Sequence, residues 1–352
     1  MRNKEFNPNG VIPDNGNYFG MPLTADEAAL VLISAPWDAT MSLRAGSSYA
    51  PDAIIDASRH IDFHEPLAPD AWRKGIATAP IDYTIQDISH RLRNDAERVI
   101  KIYEEFGASA LENMIYARRL RKVNEGSATV NEKIYSQAKH WLDRGKLVGL
   151  VGGDQSVTYG MIRAVGERYG KVGILHIDAG SDLKEGDHGF EHSHRAIIHN
   201  LLRDVEAIER VVMVGMRECS PREWQRIEED ERIEVFTGQS IWTQKFEGTP
   251  WMTISNAIVE KLPQSVYISL DIDGLTIECT PNAGALVPGG IRFMEVVYLL
   301  GKIVESGRRI VGFDLTEVVP DMEDKTDAII AARMLYKMCC MALKRYDAPN
   351  IL

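Results

Sequence analysis

Three features of this sequence predict a three-layer α/β/α fold around a central, mostly parallel sheet. Six short apolar runs recur along the chain, at 29–36, 146–153, 172–178, 210–217, 265–273 and 309–318, each bounded by Gly, Pro or Asp. The runs are nearly continuous rather than alternating, which is the pattern of a strand covered on both faces. Stretches with helical spacing lie between them, and alternating strands and helices imply right-handed βαβ units.

In chain order, "ALVLISAP" (29–36) is the first strand. The charged region 86–145 reads as two or three helices, with "ARRLRK" (117–122) a solvated face. "KLVGLVGG" (146–153) is a strand, and "VTYGMIRAVGERYG" after it has the spacing of a helix. "VGILHID" (172–178) and "RVVMVGMR" (210–217) are strands. The helix "MTISNAIVEKL" precedes the strand "SVYISLDID" (265–273), and the helix "FMEVVYLLGKIVESG" precedes "RIVGFDLTEV" (309–318). No repeat, low-complexity tract or linker interrupts this order. One domain over 1–352 is expected, with 1–28 as an N-terminal extension.

Composition narrows the function. Of 352 residues, 45% are hydrophobic and 26% charged, as in a globular protein with a sizeable core. A net charge of −11 argues against binding nucleic acid or an anionic membrane. The start, "MRNKEFNPNG", lacks an apolar core, and no run approaches the roughly 20 residues that span a bilayer. Cys219, Cys279, Cys339 and Cys340 show no CxxC spacing, which suits reduced thiols. A cytoplasmic protein is expected.

Ligands in open α/β sheets bind at the carboxyl ends of the strands. Four of the runs end in acidic groups: "GGDQS" after 146–151, "DAGSD" after 172–177, "DID" after 265–270 and "DLTEVVP" after 309–313. Asp271 and Asp273 are two apart, so on a strand they share a face. With Asp178 and Asp182, four carboxylates can converge. Like charges that close raise one another's pKa, and a divalent cation relieves the repulsion. Oxygen donors suit hard ions such as manganese or magnesium. Any one of these pairs also suits a helix cap or turn; their recurrence at four strand ends favours a shared acidic pocket. Nucleotide binding at "GGDQS" is set aside, because the G-x-x-x-x-G-K-[ST] and G-x-G-x-x-G patterns are absent.

These segments resemble the ureohydrolases, the family of arginase, agmatinase, guanidinobutyrase and formiminoglutamase. That family reads G-G-D-H-S, D-A-H-x-D, S-x-D-x-D and E-V-N-P in order. Here stand Gly152-Gly153-Asp154-Gln155-Ser156, Asp178-Ala179-Gly180-Ser181-Asp182, Ser269-Leu270-Asp271-Ile272-Asp273 and Glu317-Val318-Val319-Pro320. "RAGSSYAPDAI" (44–54) and "PNAGALVPGG" (281–290) are similar to two further family segments, so the resemblance runs from about Ala35 to Ala332. It implies an arginase-like sheet of about eight strands. It also implies Asp178, Asp182, Asp271 and Asp273 as metal ligands, with Asp178 and Asp271 bridging two ions. Both family histidines are replaced, by Gln155 and Gly180. Gln155 still offers a weak carbonyl donor, and His188 or His192 is a candidate to fill in beside Gly180. His176 shares the face of Asp178, but the resemblance implies no ligand role for it. By the same resemblance His194 assists catalysis near the substrate, with Asp182 beside it, and Glu317 pairs with the substrate. The Gly215-Met216-Arg217 segment is expected to be structural.

Two functions follow. One is hydrolysis of a linear amidine C–N bond, in a guanidino, ureido or formimino substrate, by metal-activated hydroxide at an altered and weakened site. The cofactor would be a divalent cation, manganese first, as one ion or none. The alternative is an inactive pseudoenzyme of the same fold that acts as a binding or assembly protein. The expected partner is a small cationic or amidine-containing molecule, and the resemblance implies a homo-oligomer, trimer or hexamer.

Overall fold

Eight parallel strands form one sheet in the order β2-β1-β3-β8-β7-β4-β5-β6. The computed structural model describes residues 6–352. The strands are β1 (Leu30–Ala35), β2 (Ile76–Thr78), β3 (Leu147–Gly152), β4 (Val172–Ile177), β5 (Ile208–Val214), β6 (Ile233–Phe236), β7 (Ser265–Asp271) and β8 (Arg309–Thr316). Six of them coincide with the six apolar runs. The other two, β2 and β6, are the short edge strands.

Alternate residues of each strand enter two separate cores, which is how the sheet becomes the middle layer. Leu30 and Leu32 join one core with Leu175, Ile177, Val266 and Ile268. Val31, Ile33 and Ala35 join the other with Val172 and Ile174. Covering the first face are α1 (Ala50–Ser58), α8 (Trp251–Lys261), α9 (Phe293–Glu305) and α10 (Thr326–Lys344). Covering the second are α2 (Thr84–Phe106), α3 (Met114–Leu142), α4 (Thr158–Tyr169) and α5 (Ile197–Asp204). The short helices α6 (Pro221–Glu229) and α7 (Gly238–Phe246) flank β6 in the chain.

The charged region 86–145 is the pair α2 and α3, joined by a 3-10 turn at Ala108–Glu112. None of 117–122 is buried, and Arg119 and Lys122 both pair with Asp95 on α2. The described part of the N-terminal segment packs into the first core through Tyr18, Phe19 and Met21. The Tyr18 and Ser34 hydroxyls hydrogen-bond at 2.9 Å, and Ser58 Oγ accepts from the Phe19 N–H at 2.7 Å. Among the described residues no helix is long and apolar enough to cross a membrane.

The sheet order has one consequence for the site. The four strands with acidic ends, β3, β8, β7 and β4, are adjacent. Their carboxyl termini open on one another at the centre of the sheet.

Candidate metal centre

The end of β3 is held by backbone proximity. The Gly153 N–H donates to Ala35 O at 2.8 Å and the Asp154 N–H to Trp37 O at 2.7 Å. A Cβ on Gly153 would stand 1.8 Å from Trp37 O, so only glycine fits between the ends of β1 and β3. Asp154 caps the following turn by accepting from the Ser156 N–H at 3.0 Å. Its burial, with Asp38 nearby, pushes its carboxyl up to about 7. Gln155 follows, fully buried. Its backbone N–H donates to Glu317 Oε1 at 2.9 Å and its Nε2 donates to Asp178 Oδ2 at 3.1 Å. Gln155 Oε1 has no partner.

At the end of β4, Asp178 Oδ1 accepts from the Gly180 N–H at 2.6 Å. A Cβ on Gly180 would meet Asp182 Oδ1 at 3.1 Å and Asp178 Oδ1 at 3.4 Å, so any side chain there aims at the carboxylates. Asp182 has φ 54°. That left-handed turn directs its carboxylate back towards Asp178; a non-glycine residue held there costs about 1–2 kcal/mol.

The end of β7 differs from the expectation of a shared strand face. β7 stops at Asp271, and Asp273 lies in a 3-10 turn at Ile272–Gly274. What brings the two together is a turn bond: Asp271 Oδ1 accepts from the Asp273 N–H at 2.8 Å. Asp273 Oδ1 in turn accepts from the Ala179 N–H at 3.1 Å, joining the β7 and β4 ends.

After β8, Glu317 has φ 63°, the second left-handed non-glycine residue of the site. Its N–H donates to Gly153 O at 2.8 Å. Its Oε1 is held by Gln155, whereas Oε2 is buried without a partner. A Cβ on Gly284 would meet that oxygen at 2.9 Å, so the 281–290 loop closes over it.

Asp178, Asp182, Asp271, Asp273, His194 and Glu317 all line one cavity of about 500 Å³. Gln155 is not on its wall and lies behind Asp178. Burial, and then the neighbouring carboxylates, hold Asp178, Asp182 and Asp271 well above the ordinary aspartate range. Burial raises Asp273 too. Glu317 rises through burial and then Asp154. Burial, then Arg195, pushes His194 down to about 4, leaving its imidazole neutral at pH 7. Among the described residues, two groups of side chains have ligand atoms close enough for one ion: His176 with Asp178 and Asp182, and Asp178 with Asp271 and Asp273. Asp178 belongs to both. Among the described residues no lysine or arginine lies within ion-pair range of these four aspartates. The donor set, rich in buried carboxylate oxygens with no lysine or arginine in direct ion-pair contact, fits a hard divalent cation.

Other expected residues are placed elsewhere. His188 is off the cavity: it is 3.0 Å from Asp187, 3.6 Å from Glu104 and packs on the Tyr103 ring at 5.2 Å. The His192 ring packs on Tyr159 at 5.2 Å. Neither lies beside Gly180, because the 183–193 segment turns them towards α2 and α4. Arg217 does line the cavity, and it donates to the carbonyls of Asp273, Val287 and Pro288, clamping the 281–290 loop to the β7 end. The cavity wall also holds Lys184, Arg195, Glu218 and Glu223, none of which stood out in the sequence. One signal for Glu223 was legible. Ser220-Pro221-Arg222-Glu223 is a capping box, and Glu223 further accepts from Ser181 Oγ at 2.7 Å.

Residues 28–340 match the model of the arginase family. The chain is similar to N(1)-aminopropylagmatine ureohydrolase of Thermus thermophilus, 28% identical over 311 residues, covering 88% of this chain and 89% of that protein. It is 24% identical to agmatinase of Bacillus anthracis over 318 residues, 87% and 89% of the two chains. Among solved structures, proclavaminate amidino hydrolase from Streptomyces clavuligerus shares its fold with a TM-score of 0.73 at 22% identity, over 95% of this chain and 99% of that one.

Proposed function

The chain belongs to the arginase family, and on that premise we propose that it hydrolyses a C–N bond of a small guanidino or other linear amidine substrate at an altered metal centre. Relatives named for agmatine and aminopropylagmatine support a cationic substrate. The observation that carries the reading is Glu317. One oxygen is fixed by the Gln155 N–H and the other, unpartnered, belongs to a residue lining the same cavity as the four aspartates.

Asp178, Asp182, Asp271 and Asp273 would hold the ion or ions. Bound there, a divalent cation would supply Lewis-acid chemistry, lowering the pKa of water and neutralising the carboxylates. Glu317 Oε2 receives the planar amidinium, and charge-assisted hydrogen bonds of this kind are directional. Asp182, which lines the cavity, accepts on Oδ1 the proton that the attacking water gives up. His194, neutral at pH 7, takes that proton up on a ring nitrogen and passes it to the departing amine. The carbon gains an oxygen and loses the amine, and urea or its analogue leaves with it.

The test is urea and amine release from agmatine, guanidinobutyrate and formimino compounds by protein incubated with manganese and freed of excess ion. Turnover of one of them that is lost in Glu317→Gln supports the reading. Full metal loading without turnover of any of them overturns it. The alternative, an inactive binding protein, is favoured by one contact: Gln155 presents an N–H donor to Asp178 where the family places a ligand. That protein would bind the same cationic molecules unchanged, which calorimetry separates from hydrolysis.

A further inference from the structure

We infer that His176 is a metal ligand and, with Asp178 and Asp182, completes a nitrogen-and-oxygen site for one divalent cation. The inference rests on the reading of the acidic cavity as a metal centre and adds to the ligand set implied by resemblance, in which His176 has no part.

His176 lies on β4 with no exposure, on the same face as Val172 and Ile174. Neither ring nitrogen has a hydrogen-bond partner. A buried polar atom without a partner is destabilising, and a core histidine ordinarily avoids this by donating to a carbonyl. His176 makes no such bond, although the sheet around it is full of carbonyls. Its ring is turned instead towards acids: Nε2 is 3.6 Å from Asp178 Oδ2 and 3.5 Å from Asp182 Oδ2.

Those separations are too long for a good hydrogen bond, which closes at about 2.7–3.2 Å. They are near what two donors show when both bind one cation. Metal–nitrogen and metal–oxygen bonds of about 2.0–2.2 Å at angles of 90–110° place the donors roughly 3–3.5 Å apart. Asp182 Oδ2 is itself unpartnered, so two orphaned atoms face each other across that gap. The local backbone accounts for the convergence. Extended β4 sets His176 and Asp178 on one face, and the left-handed turn at Asp182 brings the third donor back to them.

The chemistry of the set differs from that of its neighbour. Asp178, Asp271 and Asp273 offer only oxygen, whereas an imidazole with two carboxylates favours first-row transition ions, such as zinc, cobalt or manganese, over magnesium and calcium. Asp178 joins the two. The chain thus compensates for the absence of histidine at Gly180 from below, through the strand, rather than from the loop.

The test uses full-length protein, stripped with chelator and reloaded with Mn2+. Electron spin-echo spectroscopy reads nitrogen coupling to the ion, and elemental mass spectrometry reads stoichiometry, for wild type, His176→Phe and His176→Asn. The expected result is imidazole coupling in wild type, its loss in both variants, and Mn2+ binding weakened at least tenfold. Because His176 has no partner to lose, the stripped variants should melt no lower than stripped wild type. Metal bound by wild type without nitrogen coupling, or coupling that persists in both variants, overturns the assignment of His176 and leaves the metal centre standing. No metal bound by wild type at millimolar Mn2+ overturns both.

Discussion

Gln155 links two acids of the cavity at once. Its backbone N–H holds Glu317 Oε1 at 2.9 Å and its side chain holds Asp178 Oδ2 at 3.1 Å. The backbone contact survives any substitution at 155 except proline, whereas the side-chain contact is the glutamine's own. This separation makes the site open to dissection.

Gln155→His combined with Gly180→His should raise Mn2+ affinity by at least tenfold, since even outer partners of metal ligands are worth 10–100-fold. A Cβ at 180 already points at Asp178 and Asp182, and Gly180 does not need a left-handed backbone. Titration calorimetry of stripped protein reads the change. Unaltered affinity in the double variant would mean that these positions do not face the ions.

Asp178→Asn should remove metal binding from both groups of ligands, because both contain this residue. It should also raise the melting temperature of the stripped protein by a few degrees, on the order of 1–2 kcal/mol, by thinning a cluster of like charges. Differential scanning calorimetry in chelator checks the second effect. A stripped variant that melts lower than wild type would count against mutual repulsion.

The stripped protein should lose stability as pH rises from about 4 to 7. Burial pushes Asp154 and Asp314 up to about 7. A carboxyl raised in the folded state stabilises fully below its unfolded pKa, near 4, and that contribution disappears as pH rises through the folded value. His194, depressed to about 4, acts oppositely and favours the fold as pH rises from 4 to 6.5, as do His176, His192 and His199, which burial also depresses. The raised carboxyls, which also include Asp178, Asp182, Asp271, Asp273, Glu317 and Asp327, outnumber these histidines, so the net slope is downward. Asp314→Asn isolates one group and should flatten the slope by up to ~1.4 kcal/mol per pH unit in urea melts. A slope identical to that of wild type would contradict the raised pKa.

Glu317→Gly should separate strain from function. Glycine relieves the left-handed backbone at φ 63° by about 1 kcal/mol, while loss of the side chain orphans the Gln155 N–H at a similar cost. Stability should therefore change little, and binding of an amidine ligand should fall by tenfold or more. A large loss of stability with unchanged amidine binding would assign Glu317 to the fold instead.

The strand ends were readable because burial on both faces leaves apolar runs and parallel sheets gather function at their termini. β2 and β6 were not, since "IAT" and "IEVF" are too short to stand out and much of β6 is only half-buried. Helix α10 escaped because "TDAIIAARMLYKMCCMALK" is apolar nearly all round, as its burial requires. At the site, the four aspartates and Glu317 could be read from spacing and resemblance, but the pairing of Asp271 with Asp273 comes from a turn bond that strand alternation does not describe. The role of His176 turned on what its nitrogens touch. No pattern of letters reports a missing hydrogen bond.

The order β3-β8-β7-β4 also governs when the cavity can exist while the chain is folding. β3 borders β8 and β4 borders β7, so two of the three seams that gather the acidic ends join segments far apart in sequence. Pairings of that kind form late, because a long loop must close before any contact rewards it. The repulsion among the carboxylates therefore falls on the closing steps, when the edges of β3 and β4 are still bare and prone to pair with other chains. A divalent cation present at that moment would speed completion of the sheet and shield the newborn chain from aggregation, a part played before any substrate arrives.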